Sequence, residues 1–226
     1  MRLGIIGAMH QEVSLLLEKM EHFNEIKYAG IKFFEGRIND TSLVVTECGV
    51  GKVNASMATA ILVSMFECNF IINTGIAGGY NLKQKDVIIA SEVYYSDVDA
   101  TTFGYEYGQI PGMPAKFYPS VEATLHVKSI LNKIGIKYKN VAVLSADKFI
   151  TNVNQLGNPN LPNEFATDME SAAIAQACVK SGVDFIIIRY ISDNIGETTI
   201  ENYNEFEEEM SKNSVSICLK IIENLE

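Results

Sequence analysis

Apolar residues recur along this chain in two rhythms. Short β-rich runs at Leu3–Gly7, Leu43–Cys48 and Phe70–Gly75 are nearly continuous in apolar character, whereas Gln11–Met20 and Val53–Phe66 space their apolar residues at the helical period. The alternation predicts an α/β protein. Further apolar strands are expected at Val87–Ser91, Val141–Ser145 and Phe185–Ile191, and helices at Val121–Ile134, Met169–Ser181 and Tyr203–Leu225. Ile31–Ile38 and Thr41–Thr46 read as a hairpin, because Asn39-Asp40 supplies turn residues between two β-prone runs. Phe70–Gly75 is expected to run into a long loop. No repeat, low-complexity stretch or interdomain linker interrupts the pattern.

The stretch from Tyr94 to Pro119 breaks both rhythms. It carries Tyr94, Tyr95, Phe103, Tyr105, Tyr107, Phe117 and Tyr118 among Gly104, Gly108, Pro111, Gly112 and Pro114. Too irregular for a helix, it reads as a long aromatic loop, a kind that often serves function. In an open α/β sheet, ligands sit beyond the carboxyl ends of the strands, so informative residues should follow Gly7, Cys48, Gly75, Ser145 and Ile191.

Composition narrows the function classes. The chain has 226 residues, 47% of them hydrophobic, enough for one large domain with a substantial core. A net charge of -10 opposes binding to a phosphate backbone, so no nucleic-acid partner is expected. The apolar runs fall far short of the roughly 20 residues of a bilayer span, and no membrane association is expected. Met1–Val13 has one basic residue, an apolar run broken at His10-Gln11-Glu12 and no small-residue cleavage site after it, which points to the cytoplasm. Cys48, Cys68, Cys178 and Cys218 form no CxxC pair, and only His10, His22 and His126 could supply imidazoles, so neither a metal site nor a Cys-His nucleophile is expected.

Two phosphate motifs fail on spacing. Gly49-Val50-Gly51-Lys52 resembles half of a P-loop, but Thr46 stands where the first glycine belongs and Val53 replaces the hydroxyl residue. A glycine turn between strand and helix is the simpler reading. Gly4-Ile5-Ile6-Gly7 lies within a strand and is not a dinucleotide fingerprint.

The carboxylates at strand ends carry more. Glu12 stands in the first turn after the first strand, where a negative charge also suits a helix start. Asp168-Met169-Glu170 opens a small-residue helix, and its charges could serve as caps. Ile186–Ile191 embeds Arg189 in an apolar strand and ends at Ser192-Asp193. An arginine there calls for a buried acidic or polar partner.

These segments together resemble the 5′-methylthioadenosine/S-adenosylhomocysteine nucleosidase family of the nucleoside phosphorylase superfamily. The match is nearly end to end: Gly4–Met9 with Glu12, Gly49–Val53, Ile72–Gly75 with Ala77-Gly78-Gly79, Phe103–Gln109, Asp168-Met169-Glu170, and Arg189 with Ile191-Ser192-Asp193. The resemblance implies one domain over residues 1–226, a central mixed twisted β-sheet flanked by helices. It implies hydrolysis of the N-ribosidic bond of 5′-methylthioadenosine and S-adenosylhomocysteine, and of 5′-deoxyadenosine as a further candidate, without a cofactor, in methionine salvage and disposal of the methyl-cycle by-product. Asp193 would be the general acid at purine N7, Glu12 the general base on water, and Arg189 a counter-charge and water ligand. Glu170 would bind the ribose hydroxyls beside Met169. Phe149 would stack on adenine and the Ile150 backbone would bond its edge, with Ala8, Met9, Val50, Ala77, Gly78 and Ser192 lining the rest. Phe103, Tyr105 and Pro111 would reach into the neighbouring subunit's site, which implies a homodimer with shared active sites.

The chain departs from the family pattern at Ile76, where serine is usual, at Asp168, where glutamate is common, and at His10 and Gln11, which replace acidic residues. The Asp168 shortening is expected to affect helix capping rather than chemistry. Arginines Arg2, Arg37 and Arg189 are the only three in the chain, too few around one site for a phosphate-holding cluster. A purine nucleoside phosphorylase and a non-catalytic nucleoside-binding or storage protein are the competing readings, the latter because fold alone does not determine function.

Overall fold

A computed structural model of the chain describes residues 1–196 and 200–225. Its strands are β1 (Arg2–Gly7), β2 (Glu21–Tyr28), β3 (Ile31–Ile38), β4 (Thr41–Glu47), β5 (Phe70–Asn73), β6 (Ile76–Tyr80), β7 (Val87–Tyr95), β8 (Lys139–Ser145), β9 (Phe165–Asp168) and β10 (Asp184–Asn194). The helices are α1 (Ser14–Lys19), α2 (Lys52–Ser64), α3 (Val121–Lys133), α4 (Ser171–Ser181) and α5 (Ile200–Ile222). One sheet takes the order β2-β3-β4-β1-β5-β10-β6-β9-β8-β7. It is mixed, as expected: β4, β1, β5 and β10 run parallel, while β2, β3 and β4 form an antiparallel meander and β6 pairs antiparallel with β9.

β10 organises the sheet. Its first half pairs with β5 from Asp184 to Ile187, and its second half pairs with β6 from Tyr190 to Asn194. Ile188–Tyr190 also pairs antiparallel with β7, so β10, β6, β9, β8 and β7 close into a ring. A strand bonded on both edges and covered on both faces must be apolar almost throughout, and Phe185–Ile191 is, apart from Arg189.

The core lies in two layers, one on each face. Ile6, Val44, Ile71 and Ile187 pack toward the α2 and α4 side with Ala55, Ala58, Leu62 and Ala172. Their neighbours Ile5, Val45, Ile72 and Ile186 pack the other way, against Val127, Ile130, Met210, Cys218 and Ile222 of α3 and α5. That is the period-two alternation of a strand buried on both faces. α3 starts at Ser120, whose hydroxyl accepts from the Ala123 N–H, and α4 stops at Gly182, left-handed at φ 66°. All four cysteines are free and buried. Among the described residues no helix is long and apolar enough to cross a membrane.

Several elements differ from the sequence reading. The hairpin is present, with Asn39 at φ 51°, but β2 extends it into a three-stranded meander. β2 is an exposed, charged edge strand with almost no apolar alternation, the composition that keeps a free edge from pairing with other chains. The expected helix Gln11–Met20 is broken: a 3-10 turn, His10–Glu12, precedes the short α1. The loop expected after Gly75 contains β6, whose Ala77-Gly78-Gly79 hides strand character. Asp168, read as opening a helix, is the end of β9. Tyr94 and Tyr95 end β7 rather than opening the aromatic loop, and Phe117 is buried against Tyr95.

Candidate active site

Strand ends converge on one cavity. It is lined by Ala8, Met9 and Glu12 after β1, Val50 after β4, Ile76, Ala77 and Gly78 of β6, and Lys148, Phe149 and Ile150 after β8. Thr167, Asp168, Met169 and Glu170 at the end of β9, with Ser192 and Asp193 of β10, complete the wall. The structure thus brings together sixteen residues drawn from six segments of the chain, among them Glu12, Glu170 and Asp193.

Glu12 is held by backbone. Its Oε2 accepts from the N–H groups of Ala8 at 2.7 Å and Met9 at 3.1 Å, and its Oε1 accepts from the Ile76 N–H at 2.9 Å. The 3-10 turn makes this possible, because the chain folds back at once after β1 and returns the carboxylate to the strand end. A carboxylate offers about four acceptor positions, so three N–H donors leave one on Oε1. Gly75 is glycine by necessity: a Cβ there would lie 2.4 Å from Glu12 Oε1. The Gly75 carbonyl, on the far side of the same peptide, accepts from Ser214 Oγ at 2.8 Å and the Tyr190 N–H at 3.0 Å, which fixes the N–H that Ile76 turns toward Glu12. Burial pushes the Glu12 carboxyl above its ordinary range, against the pull of Arg189 and the three N–H donors.

Asp193 sits under an apolar strand. Its Oδ1 accepts from Ser192 Oγ at 2.6 Å, and that hydroxyl also lies 3.3 Å from the Ala77 carbonyl. Its Oδ2 faces Gly78, where a Cβ would come within 3.4 Å. Burial raises this carboxyl too, opposed by the Ser192 hydrogen bond. Glu170 accepts from the Gly51 N–H at 2.9 Å and from the Met169 N–H at 3.3 Å. Burial first, then the nearby Asp168 charge, push it up.

Arg189 is not in the cavity wall. Its Nε and Nη2 donate to Asp168 Oδ2 at 2.9 and 2.7 Å, Nη2 also reaches Asn73 Oδ1 and Ser171 Oγ, and Nη1 donates to the Ile188 carbonyl at 3.2 Å. The expected buried acidic partner exists and is Asp168, the side chains of both being 2% exposed. Arg189 is absent from the residues that line the cavity; its guanidinium lies one layer behind and acts on Glu12 through space. Asp168 does cap α4, accepting weakly from the Glu170 and Ser171 N–H groups, but its larger task is this ion pair.

Phe103, Tyr105 and Pro111 are absent from the cavity of their own chain. Phe103 is 82% exposed on a 3-10 turn, and Tyr105 borders a separate hollow with Tyr94, Asp99 and Lys116. Sequence reasoning did not place Lys148 and Thr167 in the wall, nor Asn73, Ser145 and Ser171 behind it. The polar Asn73 and Thr74 ending an apolar strand were the available signal for that second layer. Among the described residues no group of three His, Cys, Asp or Glu is placed to hold a metal.

This architecture has close relatives. A model of the phosphorylase superfamily matches residues 2–223. A 5′-methylthioadenosine/S-adenosylhomocysteine nucleosidase of Staphylococcus haemolyticus is 40% identical, over 99% of this chain and 100% of its own. The chain belongs to this nucleosidase family. Among solved structures, the family's Neisseria meningitidis member, in complex with methylthio-immucillin-A, superposes with a TM-score of 0.92 at 34% identity, covering 99% of each chain. The Colwellia psychrerythraea member, in complex with adenine, gives 0.90 at 36% identity, covering 100% of this chain and 96% of that one.

Two outcomes follow from the family member's buried charges. Arg189→Met leaves Asp168 buried without its cation and should cost about 3–5 kcal/mol in urea unfolding. Glu170 has a raised pKa in the fold, so its contribution to stability is present at acid pH and lost as pH rises through the folded value. Glu170→Gln should therefore raise the melting temperature at pH 8, each kcal/mol being about 2–4 °C for a chain of this size, with the gain shrinking toward pH 5.

Proposed function

We propose that this chain is a single-domain nucleosidase over residues 1–226 that hydrolyses the N-ribosidic bond of 5′-methylthioadenosine and S-adenosylhomocysteine, releasing adenine and the thioribose. The observation that carries the reading is the pairing of two unlike carboxyls in one cavity: Glu12, clamped by backbone donors, and Asp193, buried under an apolar strand with one oxygen open.

Cleavage passes through an oxocarbenium-like state, with negative charge passing to the purine and water arriving at C1′. Asp193, its pKa raised by burial, donates its carboxyl proton to N7 as the bond breaks, and its other oxygen accepts from the 6-amino group. Glu12 holds the attacking water at its remaining acceptor position and takes its proton. A base with a raised pKa is a stronger base, so burial serves this role as long as Arg189 keeps the carboxylate ionised. Glu170 accepts from the vicinal ribose hydroxyls beside Met169, Phe149 stacks on the adenine, and the Ile150 backbone bonds its edge. Ala8, Met9, Val50, Ala77, Gly78 and Ser192 shape the remainder.

Water rather than phosphate is the second reactant in this reading. Phosphate would need guanidinium groups, yet Arg189 is committed to Asp168, Arg2 pairs with Glu35, and Arg37 donates to the Asp40 carbonyl. Lys148 is the one cation in the wall among the described residues, and it belongs to the loop bearing Phe149. Ile76 adds an apolar side chain where its N–H meets Glu12, which further disfavours an anion there.

The enzyme acts as a homodimer with shared sites in this reading. Phe103, Tyr105 and Pro111 of each chain close the 5′-alkylthio end of the partner's cavity, supported by the exposure of Phe103 and by the apolar hollow that Val53, Met57, Ala60, Val98 and Ile110 form beside α2. Free buried thiols favour the cytoplasm, where the reaction would serve methionine salvage.

The deciding assay is adenine release from 5′-methylthioadenosine in phosphate-free buffer; activity that appears only on adding phosphate would establish a phosphorylase instead. Glu12→Gln and Asp193→Asn should each lower kcat by about 100-fold or more with folding intact, and near-normal turnover in either would remove its role. With a raised Glu12, kcat/KM should fall as pH drops through a value above the ordinary carboxylate range of about 4.3. Phe103→Ala should raise KM for 5′-thio-substituted substrates more than for adenosine; equal losses on both would refute the proposed 5′ pocket.

A further inference from the structure

The turn Gly49-Val50-Gly51-Lys52 is not a phosphate loop, and the proposed chemistry gives its lysine no task. In the structure Lys52 is nonetheless the most heavily engaged lysine near the cavity. Its Nζ bonds both carboxylate oxygens of Asp97, at 2.8 and 2.7 Å, lies 3.8 Å from Asp147 Oδ2, and sits 5.2 Å from the centroid of the Tyr95 ring. Its backbone N–H donates to Asp147 Oδ1 at 2.8 Å, and the Asp147 N–H donates to Asp97 Oδ2 at 2.9 Å. The cluster thus joins the segments after three strands: β4 through Lys52, β7 through Asp97 and β8 through Asp147.

The neighbours of these residues are the cavity walls. Val50 lines one side, and the Gly51 N–H holds Glu170. Directly after Asp147 come Lys148, Phe149 and Ile150 on the other side. A single exposed ion pair would contribute little. Here the ammonium and Asp97 side chains are only 21% and 20% exposed, and one cation separates two carboxylates that would otherwise repel.

We propose that Lys52 is a positioning residue for the nucleosidase site: by binding Asp97 and Asp147 together, it sets the Val50–Gly51 wall at a fixed distance from the Lys148–Ile150 wall. The clamp touches neither the acid nor the base, so it governs how well the nucleoside is received rather than how fast the bond breaks. The kinetic part of this inference rests on the function proposed above.

The test compares wild type with Lys52→Met, Lys52→Arg and Asp97→Asn, by steady-state adenine release from 5′-methylthioadenosine and by amide hydrogen exchange of the free protein. Lys52→Met should raise KM roughly fivefold to tenfold while kcat stays within about threefold. Asp97→Asn should move KM the same way by less, and Lys52→Arg should restore most of the loss. Exchange should quicken in residues 49–52 and 147–150 of Lys52→Met and remain unchanged in the central strands. A KM within twofold of wild type in Lys52→Met, a loss confined to kcat, or exchange quickened evenly across the sheet would overturn the clamp. If the wild-type protein releases no adenine, the functional reading falls, and the exchange measurement alone decides the clamp.

Discussion

Removing a guanidinium from water costs several kcal/mol, and Arg189 sits at the middle of a strand bonded along both edges. The cost is offset only because its donors meet acceptors from different elements: Asp168 at the end of β9, Asn73 at the end of β5, Ser171 at the head of α4 and the carbonyl of its own strand. Each acceptor is in turn held elsewhere. Asn73 donates to the Ile6 carbonyl of β1, and Ser145 of β8 donates to Asp168 while accepting from the Ala172 N–H. Five strands and a helix are thereby brought to one level, and that level is the floor of the cavity. The ends of β1, β5, β8, β9 and β10 could not shift independently without leaving a charge or a polar group unpaired.

The same cation sets the electrostatics above it. Asp168, Glu12 and Glu170 are three buried carboxyls near one arginine, and Asp168 takes its hydrogen bonds. Glu12 and Glu170 receive only its field, which is weaker than the desolvation they suffer, so both are raised despite it. Three buried carboxyls grouped around one guanidinium are costly to the fold and receptive to positive charge. The reacting sugar of the proposed mechanism develops that charge in the transition state, where stabilisation accelerates the reaction. Stability is thus given up in the free protein at the positions where rate is gained.

Most of this was legible in the sequence wherever a residue's character conflicted with its surroundings. Arg189 in an apolar run announced a buried partner, and the carboxylates at the ends of apolar strands announced a cavity. The failures have a common cause in the other direction. β2 is charged because it is an edge, β6 is glycine-rich because Thr167 and Asp193 crowd Gly78 while Ile191 and Leu82 crowd Gly79, and β9 is short because it ends at Asp168. In each, a local constraint replaced the apolar pattern that marks a strand. The layer in which Arg189 sits depends on register, which a strand's composition does not give. The bulge in the β10–β6 pairing between Ile191 and Asp193 intervenes between the arginine and the acid.

That bulge bears on the division of labour in the site. Strict alternation would send Ile191 and Asp193 to the same face of β10, with Arg189 on it as well. Arg189 and Ile191 precede the bulge, Arg189 beside Asn73 and Asp168 and Ile191 in the core with Ala77 and Ile187, whereas Asp193 follows it and stands in the cavity beside Gly78. β-bulges re-aim side chains in this way near functional sites. An acid that must hold its proton is served by distance from a guanidinium, because a nearby cation would favour its ionised form. Asp193 shows no influence of Arg189 among the causes of its shift, while Glu12, which must be ionised to act as a base, does. In the proposed mechanism one strand therefore supplies both the acid and the charge that favours the ionised form of the opposing base, provided its register slips between them.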